Sequence, residues 1–360
     1  MVSDPLRIAF FGTDVYTKYS LEAVHKYMQS PDSNIERLDV ITRPPKRGGR
    51  GRVLVKEAPA GEYAFEHDLN VIRAEKDKEI VNLAKNQYNL AIAVSYGKFI
   101  PNEFLSQLKY GGLNVHPSLL PSLAGPAPIH HALLNRHAYT GVTVQSMHPH
   151  LFDRGRILLQ TPEIPIEPDD TTRSLLHRLG VVGADGLVQV LRSQLYTDPE
   201  YSVPSSYAPS YAGKLTSRHK RVNLEVQTLD DILLQHRVLG PLHFFQHAYS
   251  VKTKRDMKNK VMTVKRLIID DVKDASIEYP YIHKTMASLK LGEYGYTEEY
   301  GEDKKCIIRV KDGFISATNM LIEGYAFQCP ERFRKGANKR GLYNTQLITS
   351  QQEVENYWKK

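Results

Sequence analysis

The first 195 residues alternate short apolar runs with longer amphipathic stretches. The apolar runs predict strands at RIAFFG, IERLDVIT, NVI, NLAIAVSYG, a segment ending at Asn114–His116, and TGVTVQSM. The amphipathic stretches predict helices at SLEAVHKYMQ, KDKEIVNLAKNQ, residues 102–108, residues 128–135, and LLHRLGVVGADGLVQVLRSQL. Strands that alternate with helices in this way predict a parallel sheet with helices on both faces.

The pattern changes after YTDPEYSVPSSYAPSYAG, a segment rich in proline, serine and tyrosine that predicts a linker. Beyond it, LDDILLQHRVLG predicts a helix, and four separated runs predict strands: HFFQHAYSV, VMTVKRLIID, KCIIRV and GFISATNMLI. We therefore predict a Rossmann-like α/β domain with a mostly parallel sheet over 1–195, and a linker over 196–212. A smaller β-rich domain, an OB-like barrel, would follow over 213–345, with a tail over 346–360.

Composition is consistent with two folded domains. The 360 residues exceed one ordinary domain, and a hydrophobic content of 41% supports a packed core rather than disorder. No apolar run has the length of a membrane span, and the N-terminal MVSDPLRIAFFGTD has the pattern of neither a signal peptide nor a presequence. Cys306 and Cys329 have no motif spacing, so we expect a reduced, intracellular protein.

The positive charge lies in the second half of the chain. The net charge is +8, and residues 201–360 hold 26 Lys and Arg against 18 Asp and Glu, whereas residues 1–200 hold 22 of each. A basic second domain beside a neutral first one suggests a polyanionic partner. A merely soluble basic surface is the alternative that charge alone leaves open.

Polar side chains occur where strands of the predicted sheet end. Asn114 and His116 are two residues apart at the end of a strand, so they point to the same side, and Asp153 follows a later strand. Ligands of open α/β sheets bind beyond the carboxyl ends of the strands. A histidine beside a carboxylate can transfer protons near neutral pH, and an amide can donate to a developing oxyanion. The alternative is that these residues cap turns.

Several other kinds of chemistry lack support in the sequence. The first turn, FGTD, has no GxGxxG pattern, so a dinucleotide site is not expected. The many histidines between residues 116 and 150 form no HExxH or Cys-paired pattern, so we expect no metal site. The chain has no GxSxG motif for a serine nucleophile.

A basic stretch, TRPPKRGGRGRVLVKE, follows the second predicted strand. Its prolines and glycines lead us to expect a mobile loop rather than a helix or a regular strand. Six basic residues precede its first acidic one, so we expect it to contact phosphates, although a solvated loop is possible: Arg43, Lys46, Arg47, Arg50, Arg52 and Lys56.

GGLNVHPSLLP, GPAPIHHAL, TGVTVQSM and LFDRGRIL together resemble segments of the folate-dependent formyltransferases. That family's signature is an Asn, a His two residues on, an SLLP turn and a downstream D-x-G loop, and the resemblance implies that Asn114, His116 and Asp153 are catalytic. SYGKFIP is similar to the family's folate-lining YG segment. The resemblance therefore implies a folate site at Ser95, Tyr96, Gly97, Ser118, Leu119, Leu120 and Pro121.

The basic loop indicates a branch of that family. TRPPKRGGRGRVL resembles the loop of the members that act on charged initiator methionyl-tRNA, whereas the short purine-pathway members lack this loop and a second domain. The resemblance implies tRNA contacts from Arg43, Lys46, Arg47, Arg50 and Arg52, with 10-formyltetrahydrofolate as co-substrate and no metal. The chain departs from the family at Ser122-Leu123-Ala124 and at Gly12-Thr13-Asp14-Val15, which affects the expected tRNA contacts rather than the chemistry.

The implied reaction moves a formyl group from N10 of the folate to the methionine amino group on initiator tRNA. Asn114 and His116 would donate to the oxyanion, and Asp153 would orient His116 and help to take up a proton. Two alternatives stay open: a formyltransferase for a sugar nucleotide, and a non-catalytic tRNA-binding homologue, against which the presence of all three residues argues. We expect a monomer in the mitochondrial matrix, with the bacterial cytoplasm as the alternative compartment.

Overall fold

A computed structural model describes residues 3–48, 54–249, 262–298 and 303–358. The chain folds into two compact units, residues 1–214 and 215–360. The domain limits proposed from the sequence stay a prediction. No helix in the described part of the chain is long and apolar enough to cross a membrane.

The first unit contains strands β1 to β11 and helices α1 to α6. Its strands are β1 (Leu6–Gly12), β2 (Ile35–Thr42), β3 (Lys46–Gly48), β4 (Leu54–Lys56), β5 (Val71–Arg73), β6 (Leu90–Val94), β7 (Gly112–His116), β8 (Tyr139–Thr140), β9 (Thr143–Ser146), β10 (Ile157–Gln160) and β11 (Ile164–Pro165). Its helices are α1 (Val15–Met28), α2 (Pro59–Glu66), α3 (Asp77–Asn82), α4 (Asn102–Leu105), α5 (Pro128–Leu134) and α6 (Thr172–Arg192).

Seven of these strands form one sheet in the order β10-β9-β7-β6-β1-β2-β5. The five strands from β7 to β5 are parallel, which confirms the predicted Rossmann-like, mostly parallel fold class. The TGVTVQSM strand, β9, runs antiparallel to β7, contrary to the parallel order expected. The connection over residues 117–142 is long enough for a parallel crossover, so its length does not determine the direction of β9.

The basic stretch is more regular than the sequence suggested. Lys46–Gly48 pairs antiparallel with Leu54–Lys56, with Arg47 opposite Val55, so the expectation of no regular strand is wrong. Both prolines, Pro44 and Pro45, lie before the paired residues and so remove no hydrogen bond from the hairpin. The apolar pair Leu54-Val55 supplies the β propensity of the second strand.

Two helices that pack together frame the sheet. Helix α1 begins at the side chain of Asp14, which accepts a hydrogen bond from the backbone N–H of Thr17. Helix α6 begins at Thr171, which caps the N–H of Ser174, and buries an apolar stripe that includes Leu179 and Leu187. This packing holds the loops at the carboxyl ends of the strands on a rigid base.

The second unit is an antiparallel sheet with short helices around it. Its strands are β12 (Leu242–Tyr249), β13 (Met262–Asp274), β14 (Tyr294–Tyr296), β15 (Cys306–Arg309) and β16 (Phe314–Ile322), and its helices are α7 (Leu229–Leu239), α8 (Ala275–Glu278), α9 (Ile282–Thr285), α10 (Pro330–Lys335) and α11 (Gln351–Trp358). The strand order is β12-β13-β16-β15-β14. The backbone N–H groups of Leu347 and Ile348 donate to the carbonyls of Gly292 and Phe245, so one segment bridges both edges of the sheet. The predicted smaller β-rich, barrel-like region is thereby confirmed.

Candidate active site

The three residues predicted to be catalytic lie together at the carboxyl edge of the parallel sheet. Asn114 and His116 project from the same face of β7, and Asp153 lies in the loop between β9 and β10. Nδ1 of His116 is 3.4 Å from Oδ1 of Asp153. Asn114 contacts Asp153 only indirectly, through Gln145 on β9.

The carboxamide of Asn114 is held by two partners. Its Nδ2 donates to the carbonyl of Ala93 on β6 at 3.0 Å, and its Oδ1 accepts from Nε2 of Gln145 at 3.2 Å. An amide nitrogen carries two hydrogens. The second N–H of Asn114 has no partner among the residues that the structure describes, and it is therefore available to a substrate oxygen.

The imidazole of His116 is buried between an anion and a carbonyl. Nε2 lies 3.0 Å from the carbonyl oxygen of Leu123, and Nδ1 faces the Asp153 carboxylate. A carbonyl oxygen can only accept, so Nε2 carries a proton. The ring can form an ion pair with Asp153 when Nδ1 is also protonated.

The position of Asp153 depends on tight local geometry. Its Oδ2 accepts from the backbone N–H of Gly125 at 2.8 Å, and its φ of 53° lies in the left-handed region, which Asp adopts more readily than most residues. A Cβ at Gly155, two residues later, would overlap the carbonyl of Ser146. The D-x-G spacing is thus explained by the close approach of this loop to β9.

Sequence reasoning missed two polar residues on β9, Thr143 and Gln145. Both are buried on the same face of β9, whose other two residues are Val144 and Ser146. The hydroxyl of Thr143 donates to the carbonyl of Ser118 and accepts from the N–H of Leu120, so it fixes the turn after β7. Two polar residues at alternating positions of a buried strand are the signal that could have indicated their role.

The YG segment offers its backbone rather than its aromatic ring. The ring of Tyr96 is buried, its hydroxyl donates to the carbonyl of Ala74, and burial raises its pKa to about 12. Ser95 donates to the carboxylate of Asp14 at 2.6 Å. Ser95 and Gly97 are exposed, and Gly97 has a φ of 69°. What this segment presents to a ligand is therefore main chain.

The SLLP turn is mostly internal. Ser118, Leu119 and Leu120 are almost completely buried, and the hydroxyl of Ser118 donates to the carbonyl of Ser122 at 2.6 Å. Pro121 is half-buried. The turn shapes the wall that carries the Leu123 carbonyl, and its direct contact with folate stays a prediction.

The residues predicted to contact tRNA are described only in part. Arg50 and Arg52 lie outside the described residues, and Lys46 and Arg47 are described as backbone of β3. Arg43 is half-buried and donates from Nη2 to the carbonyl of Tyr96, with its guanidinium 5.7 Å from the centre of the Tyr96 ring. Arg43 thus joins the start of the basic stretch to the YG segment.

The two ends of the basic stretch are held together by Arg73 on β5. The guanidinium makes a bidentate pair with Glu57, at 2.8 and 2.7 Å, and donates to the carbonyl of Arg43 at 3.3 Å. Burial raises the pKa of Glu57, but the bonds from Arg73 and from the N–H of Ala58 outweigh it, and the net pKa is below its usual value. The hairpin therefore starts from a fixed base.

The described residues contain no group of three or more His, Cys, Asp or Glu side chains placed to hold a metal ion. The polar groups at this site are instead two amides, an imidazole and a carboxylate joined by hydrogen bonds. Such a set can stabilise an oxyanion and transfer protons.

A family model described as formyl transferase matches residues 6–191. The mitochondrial methionyl-tRNA formyltransferase of Saccharomyces cerevisiae is 32% identical, over 96% of this chain and 92% of its own length. The mitochondrial methionyl-tRNA formyltransferase of Mus musculus is 28% identical over 89% of this chain and 75% of its own length. The methionyl-tRNA formyltransferase of Dictyoglomus thermophilum is 34% identical over 66% of this chain and 73% of its own length.

Solved structures support the fold. A 4-N formyltransferase from Francisella tularensis aligns with a TM-score of 0.51 at 14% identity, over 72% of this chain and 97% of its own. HypX from Aquifex aeolicus, in complex with tetrahydrofolic acid, aligns with a TM-score of 0.52 at 13% identity, over 94% of this chain and 48% of its own. At these identities the likeness bears on the fold alone.

Proposed function

The chain belongs to the methionyl-tRNA formyltransferase family, and on that premise we propose that it transfers a formyl group from 10-formyltetrahydrofolate to the amino group of methionine on charged initiator tRNA. The observation that carries this proposal is the meeting of Asn114, His116 and Asp153 at the carboxyl edge of the sheet. Formyl transfer from the folate would use these three residues, and binding of the polyanionic tRNA would use the basic excess of residues 201–360.

The chemistry is an acyl transfer between two nitrogens. The methionine amine forms a bond to the formyl carbon, and the formyl oxygen becomes an oxyanion. The bond from that carbon to N10 of the folate then breaks, N10 gains a proton, and the former amine loses one. The site must therefore stabilise one transient negative charge and move one proton.

The second N–H of Asn114 is the group that supports oxyanion stabilisation most directly, because its other hydrogen is held by Ala93. For His116 to donate to the same oxygen, its Nε2–H must exchange the carbonyl of Leu123 for that oxygen. Asp153 balances the charge of a protonated His116 and can draw the amine's proton toward this pair. One donor to an oxyanion contributes about 10²- to 10³-fold in rate.

The folate site is proposed to lie against the exposed backbone of Ser95–Gly97 and beside the SLLP turn, Ser118–Pro121. Support comes from the position of both segments at the ends of β6 and β7, next to Asn114. Backbone N–H and C=O groups suit the donors and acceptors of a pteridine ring edge.

The tRNA is proposed to contact Lys46, Arg47, Arg50 and Arg52 as well as the basic second unit. The Arg73–Glu57 pair supports this by fixing where the basic stretch leaves the sheet. The sequence also suggested Arg43 as a tRNA contact, but its guanidinium donates to the carbonyl of Tyr96.

We also propose that the protein is a monomer, which sedimentation would test. We propose a mitochondrial matrix location as well, because three of the relatives with high coverage are named as mitochondrial. Protection of the protein from added protease in isolated mitochondria tests the location. Finding the protein in the cytoplasm of a bacterium instead would overturn it.

An acceptor comparison tests the function. The purified protein is incubated with 10-formyltetrahydrofolate and either charged initiator tRNA or an amino-sugar nucleotide, and the products are identified by mass. We expect formyl-methionine on the tRNA and no formylated sugar. Formylation of the sugar alone would assign the chain to the other branch, and tRNA binding without any transfer would indicate a non-catalytic homologue.

A further inference from the structure

Gln145 is a buried amide that contacts two of the three proposed catalytic side chains. It lies on β9 directly opposite Asn114 on β7 and is only 2% exposed. Its Nε2 is 3.2 Å from Oδ1 of Asn114 and 3.2 Å from Oδ1 of Asp153. Its Oε1 accepts from the backbone N–H of Gly155 at 3.1 Å.

These partners allow only one orientation of the Gln145 amide. The Gly155 N–H can only donate, so the oxygen of Gln145 must face it. The two hydrogens of Nε2 then point at two acceptors, the oxygen of Asn114 and the carboxylate of Asp153. The reversed amide would place its oxygen against both of those oxygens and its nitrogen against a donor, so three favourable contacts would become repulsive.

The orientation passes to Asn114. Because Gln145 donates to Oδ1 and Ala93 accepts from Nδ2, the Asn114 amide cannot turn over without losing both bonds. The second N–H of Asn114 is thereby kept pointing toward the proposed substrate site. Asp153 is fixed in the same way, by Gln145 at one oxygen and by Gly125 at the other.

We propose that Gln145 is a positioning residue for formyl transfer. It fixes the orientations of the Asn114 amide and the Asp153 carboxylate relative to each other. This inference rests on the proposed function. With so little exposed surface, Gln145 does not reach the substrates, so it acts through its two neighbours. Supporting groups of this kind, one contact away from the chemistry, typically change activity by about 10- to 100-fold when they are removed.

The test uses Gln145→Met, which keeps most of the volume and removes all three hydrogen bonds, and Gln145→Glu, which is nearly isosteric but places an acceptor against Asp153. We expect kcat to fall by about 10- to 100-fold in each, with both KM values within about twofold. Asn89→Leu is the matched control. Asn89 is also buried and bonds Arg7 and Pro5, but it lies at the opposite end of β6. It should lower the melting temperature without lowering kcat.

A double-mutant cycle separates positioning from simple destabilisation. In an Asn114→Ala background, Gln145→Met should lower kcat clearly less than it does alone, because one of its two targets is already gone. Full additivity, or a kcat for Gln145→Met and Gln145→Glu within twofold of the parent protein, overturns the inference. The parent protein is assayed alongside: if it formylates no tRNA, the proposed function fails, and formylation of the amino-sugar nucleotide then serves as the readout for Gln145.

Discussion

At the scale of single residues, the proposed chemistry depends on protons whose positions the hydrogen bonds determine. Asn114 keeps one N–H for a substrate because Ala93 and Gln145 hold the rest of its amide. His116 has a protonated Nε2 because Leu123 offers only a carbonyl. Each assignment follows from a partner that can act in one way only.

Asp153→Asn should abolish most turnover while the protein stays folded. Whichever way the new amide turns, its NH₂ would face a donor, either the N–H of Gly125 or Nε2 of Gln145. The charge opposite His116 would also be lost. We expect kcat to fall by about 10²-fold or more. Steady-state formylation kinetics measure this, with a melting curve as control, and turnover near that of the parent protein would remove Asp153 from the mechanism.

Arg43→Met should weaken folate binding more than tRNA binding. The sequence suggested a phosphate contact, but the guanidinium donates to the carbonyl of Tyr96 beside Gly97. Losing it should raise the KM for 10-formyltetrahydrofolate by roughly tenfold, the usual value of one charge-assisted hydrogen bond. If instead the folate KM stays constant and the salt dependence of tRNA binding drops by about one unit, Arg43 contacts a phosphate after all.

At the scale of elements, the sequence predicted the parallel strands well and the pairing of later ones poorly. A short, continuous apolar run that ends at a glycine, such as NLAIAVSYG, is typical of a central strand buried on both faces, and β6 is such a strand. The direction of β9 depends on the path of the chain over residues 117–142, and the position of the β3–β4 hairpin depends on the Arg73–Glu57 pair at its base. The pairing of Gln145 with Asn114 depends on register between strands 31 residues apart, which no local pattern encodes.

The N-terminus of α6 makes a prediction about pH. Asp170 accepts from both terminal nitrogens of Arg178, from Ser174 and from the N–H of Glu167. Burial raises the pKa of Asp170, but these bonds outweigh it and the net pKa is below its usual value. The stabilisation is therefore present above the ordinary Asp pKa of about 4 and is lost as pH falls through the lower folded value.

Asp170→Asn should lower the free energy of unfolding at pH 7 by about 2 kcal/mol. The variant should also lose less stability than the parent protein when the pH falls from about 5 to 3, because the titrating group is gone. Urea unfolding across that range measures both. Parallel curves for the two proteins would contradict the assignment.

At the scale of the whole molecule, the uneven distribution of charge should make the kinetics with tRNA depend more strongly on salt than the kinetics with the folate. The net charge of +8 lies entirely within residues 201–360, and a tRNA is a polyanion. We expect kcat/KM for tRNA to fall by roughly tenfold or more between about 50 and 200 mM salt. The KM for 10-formyltetrahydrofolate should change far less. Equal salt dependence of the two would argue against electrostatic capture of tRNA.

The central claim is that this chain moves a formyl group between its two substrates through Asn114, His116 and Asp153. Single-turnover transfer from labelled 10-formyltetrahydrofolate to charged initiator tRNA, with enzyme in excess, measures that step without product release. We predict label on the methionine amino group, and a rate about 10²- to 10³-fold lower for folded Asn114→Ala. Absence of label with the parent protein, or an unchanged rate for Asn114→Ala, would contradict the account.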